Sequence, residues 1–192
     1  MGASTAGGKA NWDAVPASSG SQALSTDAAV RPATPEPAEA VWLRLLETAT
    51  REVFETMLGE PASPAVCDVD ELPPAPDFTA LVGLSGALEG SLRVRCQAVS
   101  ACLMGSRMAG TPLDLQDELV VDALGEIANM VAGNFKSKIP GLADACRVSV
   151  PTVLRGQEFT MESMARGEIL ESCFLFHGSP FWVSLDLWPE AA

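Results

Sequence analysis

Five polar or small residues follow one line along a predicted helix: Asp122, Glu126, Asn129, Gly133 and Lys136. Steps of four, three, four and three residues keep them on one stripe of a helix. Glu126 and Asn129 stand three residues apart and project side by side. A carboxylate accepts hydrogen bonds and a carboxamide both donates and accepts them, so the pair could orient a water for hydrolysis. Such residues are also ordinary on a solvated helix face, and the residue types alone leave both interpretations open.

The stripe lies in the longest helical pattern of the chain, residues 117–141. Apolar residues recur there as a broad band that predicts a core-facing helix: Val121, Leu124, Ile127, Ala128, Val131, Ala132, Phe135 and Ile139. The pair Pro140–Gly141 is expected to end the helix. Gly125 and Gly133 each cost up to about 1 kcal/mol relative to alanine inside a helix. Two such residues indicate close approach by a neighbouring helix or by a partner.

Composition narrows the class of protein. The chain has 192 residues, a formal net charge of −13 and a pI near 4.3. This charge argues against nucleic acid or an anionic membrane as the main partner. No apolar run approaches the roughly 18 residues that span a bilayer, and the N-terminal residues lack the apolar segment of a secretory signal. We therefore expect a cytoplasmic protein.

Cysteine and histidine usage argues against a zinc site and a histidine-based hydrolase. The five cysteines form no CxxC pair, and His177 is the single histidine. These numbers are too small and too scattered for the usual zinc ligand sets or a catalytic triad. We expect five reduced, mostly buried thiols and no metal or other cofactor of the protein's own.

The chain is expected to divide into a tail and one domain. Residues 1–39 are rich in Ala, Ser, Gly, Thr and Pro and have no sustained apolar period. Such a segment buries too little apolar surface to offset its ordering entropy, so it is predicted to be disordered. Residues 40–192 carry the periodic patterns and form the predicted domain.

Helices and paired strands interleave within the domain. In chain order the patterns predict these elements: a helix over 41–58, a short strand within 65–69, a hairpin of 78–84 and 88–96, a helix over 97–108, the helix of the polar stripe, a strand over 146–150, an uncertain element over 157–164, and a hairpin of 169–176 and 181–188. Regular parallel βαβ alternation is missing from this order. The prediction is therefore an α+β (mixed α/β) fold with helices packed on a largely antiparallel sheet, possibly an internal duplication.

The sequence resembles the CheC/CheX/FliY family of chemotaxis response-regulator phosphatases, and its CheX-like branch in particular. The family signature is an acidic residue or Ser, three residues, Glu, two residues, Asn, and about 22 residues to a Pro. Asp122, Glu126 and Asn129 match it directly, and Pro151 follows Asn129 after 21 residues, 130–150. The segments DALGEIANMVAGNFKSK, VFETMLG, LVGLSGALEGSLRVRC and RVSVPTVL extend the resemblance over residues 41–188.

The resemblance implies an enzyme that hydrolyses the phospho-aspartate of a CheY-type response regulator. Glu126 would pair with the regulator's active-site Lys, and Asn129 would orient the attacking water. Asp122 and Pro151 would support the site. The position of Lys136 in the last turn of the helix, apart from the resemblance, indicates a surface lysine that suits the negative end of the helix dipole. Magnesium would be bound by the partner regulator. The alternative is a non-catalytic CheX-like module that binds a receiver domain or signalling partner.

Two further expectations follow from the resemblance. Some relatives carry a second Glu-x-x-Asn pair, whereas the first helix here has Glu52 and Glu55 at those positions. One site per chain is therefore expected. CheX-like relatives form homodimers in which sheets join, which implies a homodimer here. Trp182 and Trp188 on the last strand could serve such an interface or pack in the core.

Overall fold

The computed structural model describes residues 38–66, 77–156 and 169–188. Within them the chain forms α1 (Ala38–Leu58), β1 (Ser63–Ala65), β2 (Phe78–Gly86), β3 (Gly90–Cys96), α2 (Ala98–Ala109), α3 (Glu118–Ser137), α4 (Leu142–Ala145), β4 (Cys146–Val148), β5 (Thr152–Arg155), β6 (Ile169–Phe176) and β7 (Ser179–Leu187). The uncertain element over 157–164 lies outside the described residues. So does the predicted tail, except that residues 38 and 39 begin α1.

All strands pair antiparallel in one seven-stranded sheet. Its order is β1-β6-β7-β3-β2-β4, and β5 pairs with the same edge of β2 as β4 does. The two hairpins, β2–β3 and β6–β7, join through the pairing of β3 with β7. The sheet therefore has two different edges: short β1 beside β6 on one side, and β4 with β5 beside β2 on the other.

Helices α1, α2 and α3 pack on one face of this sheet, with α3 between and against the other two. Buried and half-buried residues alternate along the second half of β3 and through the middle of β2, as the period-two pattern predicts. β7 is instead buried on both faces from Phe181 to Asp186. Phe54 of α1 stacks on Phe181 of β7 with ring centroids 4.6 Å apart. The core residues of α3 are fully buried between sheet and helices: Val120, Leu124, Ile127, Ala128, Val131, Ala132 and Phe135. This packing fixes which side of α3 faces outward.

The outer face of the sheet is polar at its centre. Arg93 of β3 pairs with Asp186 of β7 at 2.6 Å, and Arg95 pairs with Glu171 of β6. The two arginines alternate along β3 with the buried residues Leu92, Val94 and Cys96.

The α+β class and the antiparallel sheet are confirmed, whereas two small elements were missed. α4 has only four residues, too few to carry a period. β5 resumes after Pro151, where the sequence predicted the strand to end. The predicted end of α3 at Pro140–Gly141 is three residues too late, since the helix ends at Ser137 and Lys138 closes a tighter turn onto Phe135 O.

The cysteines differ from their prediction at one position. Cys173 is disulfide-bonded, so the expectation of five reduced thiols is wrong there. Cys96, Cys102 and Cys146 are free. Burial raises the pKa of all three thiols, that of Cys96 to about 12. These free cysteines are therefore protonated packing residues, as expected.

Candidate active site

Helix α3 presents the polar stripe on the side opposite its buried band. Asp122 and Glu126 are exposed, and Asn129 is half-buried. A turn at the start of the helix fixes its first residues, because Asp117 accepts a hydrogen bond from Asp114 N at 2.6 Å and from Val120 N at 3.1 Å. The packing of α3 thus sets a carboxylate and a carboxamide side by side at the surface.

The first half of the stripe has no internal partners. Asp122, Glu126 and Asn129 make no side-chain hydrogen bond or ion pair with residues 38–66, 77–156 or 169–188. A carboxylate and a carboxamide that the fold does not use keep their full capacity for a water or a partner. Their placement is the feature of the site that the sequence predicted most directly.

The second half of the stripe is bound into the fold. Lys136 is half-buried, and its Nζ donates to Ala143 O and Cys146 O, both at 2.7 Å. It therefore joins the end of α3 to α4 and the start of β4. The interpretation of Lys136 as a solvated surface cation is wrong, and its role is to hold the chain that leads to Pro151.

Lys136→Met is expected to lower the free energy of unfolding by about 1–3 kcal/mol, since it leaves two carbonyls without their charged donor. Urea unfolding at neutral pH measures the loss. Lys138→Met is the matched control, because Lys138 makes only a surface ion pair with Glu52 and should cost a few tenths of a kcal/mol. Equal losses in the two variants would contradict the structural role of Lys136.

Pro151 is brought directly against α3 next to Glu126. A Cβ placed on Gly125 would lie 3.4 Å from Pro151 Cγ and 3.6 Å from Val153 Cγ2. Pro151 therefore lies directly on Gly125, at distances that a Cβ would meet as ordinary van der Waals contact. The neighbour is the segment before β5 rather than the helix or partner that the glycine pattern predicted. Gly133 has open space instead, with nothing within 4 Å, so only one of the two glycines meets a neighbour within the chain.

A β-bulge delivers Pro151 to this position. Ser149 and Gly83 exchange two hydrogen bonds. Ser149 N donates to Gly83 O at 2.9 Å, and Gly83 N donates to Ser149 Oγ at 2.8 Å. Pairing resumes at Thr152 with Leu81. Two residues, 150 and 151, therefore stand opposite a single residue of β2. Bulges of this kind redirect the chain locally and are frequent next to active sites.

Helix α1 carries no second free pair. Glu52 accepts hydrogen bonds from Lys138 Nζ at 2.6 Å and Asn134 Nδ2 at 3.2 Å. Its carboxylate ties α1 to the end of α3 and is occupied, unlike that of Glu126. This contrast supports the expectation of a single site on α3.

The Glu52 contacts predict a pH dependence. The hydrogen bond from Lys138, assisted by Asn134 and the ammonium charge, lowers the pKa of Glu52 below its ordinary value of 4.5. A lowered folded-state pKa stabilises the fold above the unfolded value, and this contribution is lost as pH falls through the folded value. Glu52→Gln should therefore cost a few tenths of a kcal/mol at pH 7, because the pair is exposed, and progressively less as the pH falls through the lowered folded-state pKa.

Thermal unfolding of wild type and Glu52→Gln at pH 7 and at pH 3.5 measures this difference. Glu55→Gln, an exposed change one turn along α1, is the matched control. A difference that grows towards low pH would contradict the assignment.

No group of three or more His, Cys, Asp or Glu side chains that could hold a metal ion is found within residues 38–66, 77–156 and 169–188. In the same part of the chain, no helix has the length and apolarity needed to cross a bilayer.

Comparison with known proteins places this geometry in a family. The family model described as chemotaxis phosphatase CheX matches residues 78–174, half of the chain. The chain belongs to the CheX family. The match spans α3 with Glu126 and Asn129, the bulge with Pro151, and five of the seven strands through most of their length.

Individual relatives agree with this membership. The CheY-P phosphatase CheX of Thermotoga maritima is 28% identical over 125 residues, which are 62% of this chain and 81% of that protein. The crystal structure of CheX from Desulfovibrio desulfuricans matches with a TM-score of 0.65 at 25% identity, covering 77% of this chain and 99% of that one. A chain in the CheX–CheY–BeF3–Mg2+ complex from Borrelia burgdorferi matches with a TM-score of 0.61 at 20% identity, covering 77% and 98%.

Sequence reasoning missed two features of the site. It did not identify the anchoring role of Lys136, because the carbonyl acceptors belong to the unpredicted α4 and its junction with β4. It also did not identify the bulge that brings Pro151 against Gly125. The departure of Pro151 from a simple strand pattern was the available signal for the second feature.

Proposed function

We propose that this protein is a phosphatase that hydrolyses the phospho-aspartate of a CheY-type response regulator, through Glu126 and Asn129. The observation that carries the proposal is the unpaired Glu126/Asn129 couple on the outward side of α3, in a chain of the CheX family. The relative from Thermotoga maritima, named a CheY-P phosphatase, supports the same activity.

Each residue would have a distinct task. Asn129 would orient the attacking water: its Oδ1 would accept a hydrogen bond from the water, and its Nδ2 would donate one to the water oxygen or to the phosphoryl group. Glu126 would bind the regulator's active-site Lys and so fix the register of the two proteins. Pro151, seated on Gly125, would hold the surface beside Glu126 in place. Asp122 would add negative charge one turn earlier.

The phosphoryl group and its metal would come with the partner. We propose that the response regulator binds the magnesium ion, which neutralises the phosphoryl oxygens during transfer to water. The complex from Borrelia burgdorferi, which contains CheX, CheY, BeF3 and Mg2+, supports this division of tasks. This chain would then supply positioning, and its location would be the cytoplasm, where such regulators act.

The test is a dephosphorylation assay over the receiver domains of the same organism. Each receiver would be phosphorylated with a small phosphodonor, and loss of the phosphoryl group would be followed with and without this protein. We expect acceleration for at least one receiver. If every receiver that binds is dephosphorylated no faster with wild type than with Asn129→Ala, the protein is instead a binding module without turnover.

We further propose a homodimer in which the sheets of two copies join. β1 pairs only with Cys173–Leu175 of β6, so residues 169–172 form an edge that no described strand covers. Such an edge is a ready template for another strand. Trp182 is buried, whereas Ile169 and Trp188 are exposed near this end of the sheet. Light scattering should give about twice the chain mass of 20.1 kDa; a single-chain mass at micromolar concentration would overturn this proposal.

A further inference from the structure

We infer that Val150 and Leu119 are docking contacts for the response regulator, on two sides of the Glu126/Asn129 pair. This inference rests on the proposed function for the identity of the occupant. The two side chains would bind the partner and would take no part in the hydrolysis.

The bulge before Pro151 leaves the side chain of Val150 exposed. It is a valine with 86% of its surface exposed. The bulge opposite β2 lifts it from the sheet, and Pro151 after it is held on Gly125. Successive Cα atoms are about 3.8 Å apart. Val150 therefore lies at the edge of α3 beside the residue that precedes Glu126.

Leu119 lies on the other side, at the start of the same stripe. It stands three residues before Asp122 and is 52% exposed. Seven helical residues separate it from Glu126, which is about 10 Å along the axis. The two residues before it, Asp117 and Glu118, are exposed carboxylates, so acidic side chains precede this exposed leucine.

The reaction itself requires that a protein surface cover both residues. A water held by Asn129 must come within about 3–3.5 Å of a phosphoryl group on another protein. A specific interface buries about 800 Å² on each partner, a patch of roughly 16 Å radius. Leu119 and Val150 both fall inside such a patch centred on Glu126 and Asn129. Apolar side chains that an interface removes from water add to its affinity roughly in proportion to the apolar area buried.

Val66 supplies the matched control. It is fully exposed and follows β1 at the far edge of the sheet. Five strand spacings of about 4.8 Å separate β1 from β4, which puts it roughly 24 Å away and outside the patch. A change of valine to alanine there alters the same exposed area without touching the proposed interface.

The experiment measures binding separately from turnover. The dissociation constant of each variant for the receiver, held in its phosphorylated form by beryllofluoride and magnesium, would be measured by titration calorimetry. Val150→Ala and Leu119→Ala should each raise Kd by roughly threefold to tenfold, and the double variant by more than tenfold. Val66→Ala should leave Kd unchanged. In the dephosphorylation assay the same variants should raise KM with little change in kcat.

The outcomes separate this inference from the proposed function. An unchanged Kd in the double variant, or an equal loss in Val66→Ala, would overturn the docking assignment while leaving the activity in place. Weaker binding without any dephosphorylation by wild type would support docking and overturn the phosphatase. Absence of binding by wild type to every receiver would overturn both. Unfolding curves should be the same for all variants, because the substituted side chains are exposed.

Discussion

Asn129→Ala is expected to lower kcat for dephosphorylation by about 10²–10³-fold, with little change in KM. The carboxamide is the group in this site that can accept from a water and donate at the same time. Its loss leaves the water free to rotate and adds the entropy of ordering it to the barrier. Removal of one precisely placed polar group costs a comparable factor in other hydrolases. Single-turnover assays on a phosphorylated receiver would measure the rate directly.

The chain offers a control for this prediction on the same helix. Asn134 is also half-buried, but its amide donates to Glu52 Oε2 at 3.2 Å. Asn134→Ala should therefore lower stability slightly and leave kcat unchanged. The reverse pattern, in which kcat falls for Asn134→Ala and is unchanged for Asn129→Ala, would show that the water-orienting residue was assigned to the wrong half of α3. A fall in both would indicate that helix integrity, rather than water orientation, controls the rate.

The contrast between the two asparagines also shows what the sequence could predict. The 3.6-residue period of α3 was strong enough to give its inward and outward faces, so Glu126 and Asn129 were placed correctly. The period could not tell which polar residues the rest of the fold uses. Asn134 and Lys136 are bound by Glu52 and by two carbonyls that come from other segments. That information is carried by tertiary contacts and has no local pattern.

The sheet shows the same difference between local patterns, which the sequence reveals, and tertiary contacts, which it does not. Both hairpins were predicted, because alternating strands joined by short turns have a local signal. The pairing of β3 with β7 and of β2 with both β4 and β5 joins distant residues, and no local pattern specifies it. β5 was missed because Pro151 was taken as a strand end, whereas the bulge lets the chain pass the proline and pair again. The role of Pro151 at the site and the exposure of Val150 both depend on that bulge.

Glu126→Gln is expected to lower kcat/KM by about 10–100-fold, which corresponds to a charge-assisted hydrogen bond of about 1.5–3 kcal/mol. The glutamine keeps the shape of the side chain and removes the charge that would bind the regulator's Lys. Part of the loss should appear in KM, since the pair fixes the docked register, and part in kcat, since that register positions the water of Asn129. The salt dependence of kcat/KM should also become shallower in the variant, because one attractive charge pair is gone.

Two further substitutions distinguish a specific contact between Glu126 and the regulator's Lys from attraction by the overall negative charge of the protein. Asp122→Asn removes the same charge one turn earlier on the stripe, and Glu55→Gln removes it from an exposed position on α1. With a net charge of −13, a purely electrostatic attraction would be weakened equally by all three substitutions. If Glu126 makes a specific contact with the Lys, Glu126→Gln should lower kcat/KM at least tenfold more than either control does. Glu126→Asp should be nearly as slow as Glu126→Gln, because the shorter side chain keeps the charge but not the reach. Equal, small losses across the series would leave long-range attraction as the only role of this carboxylate.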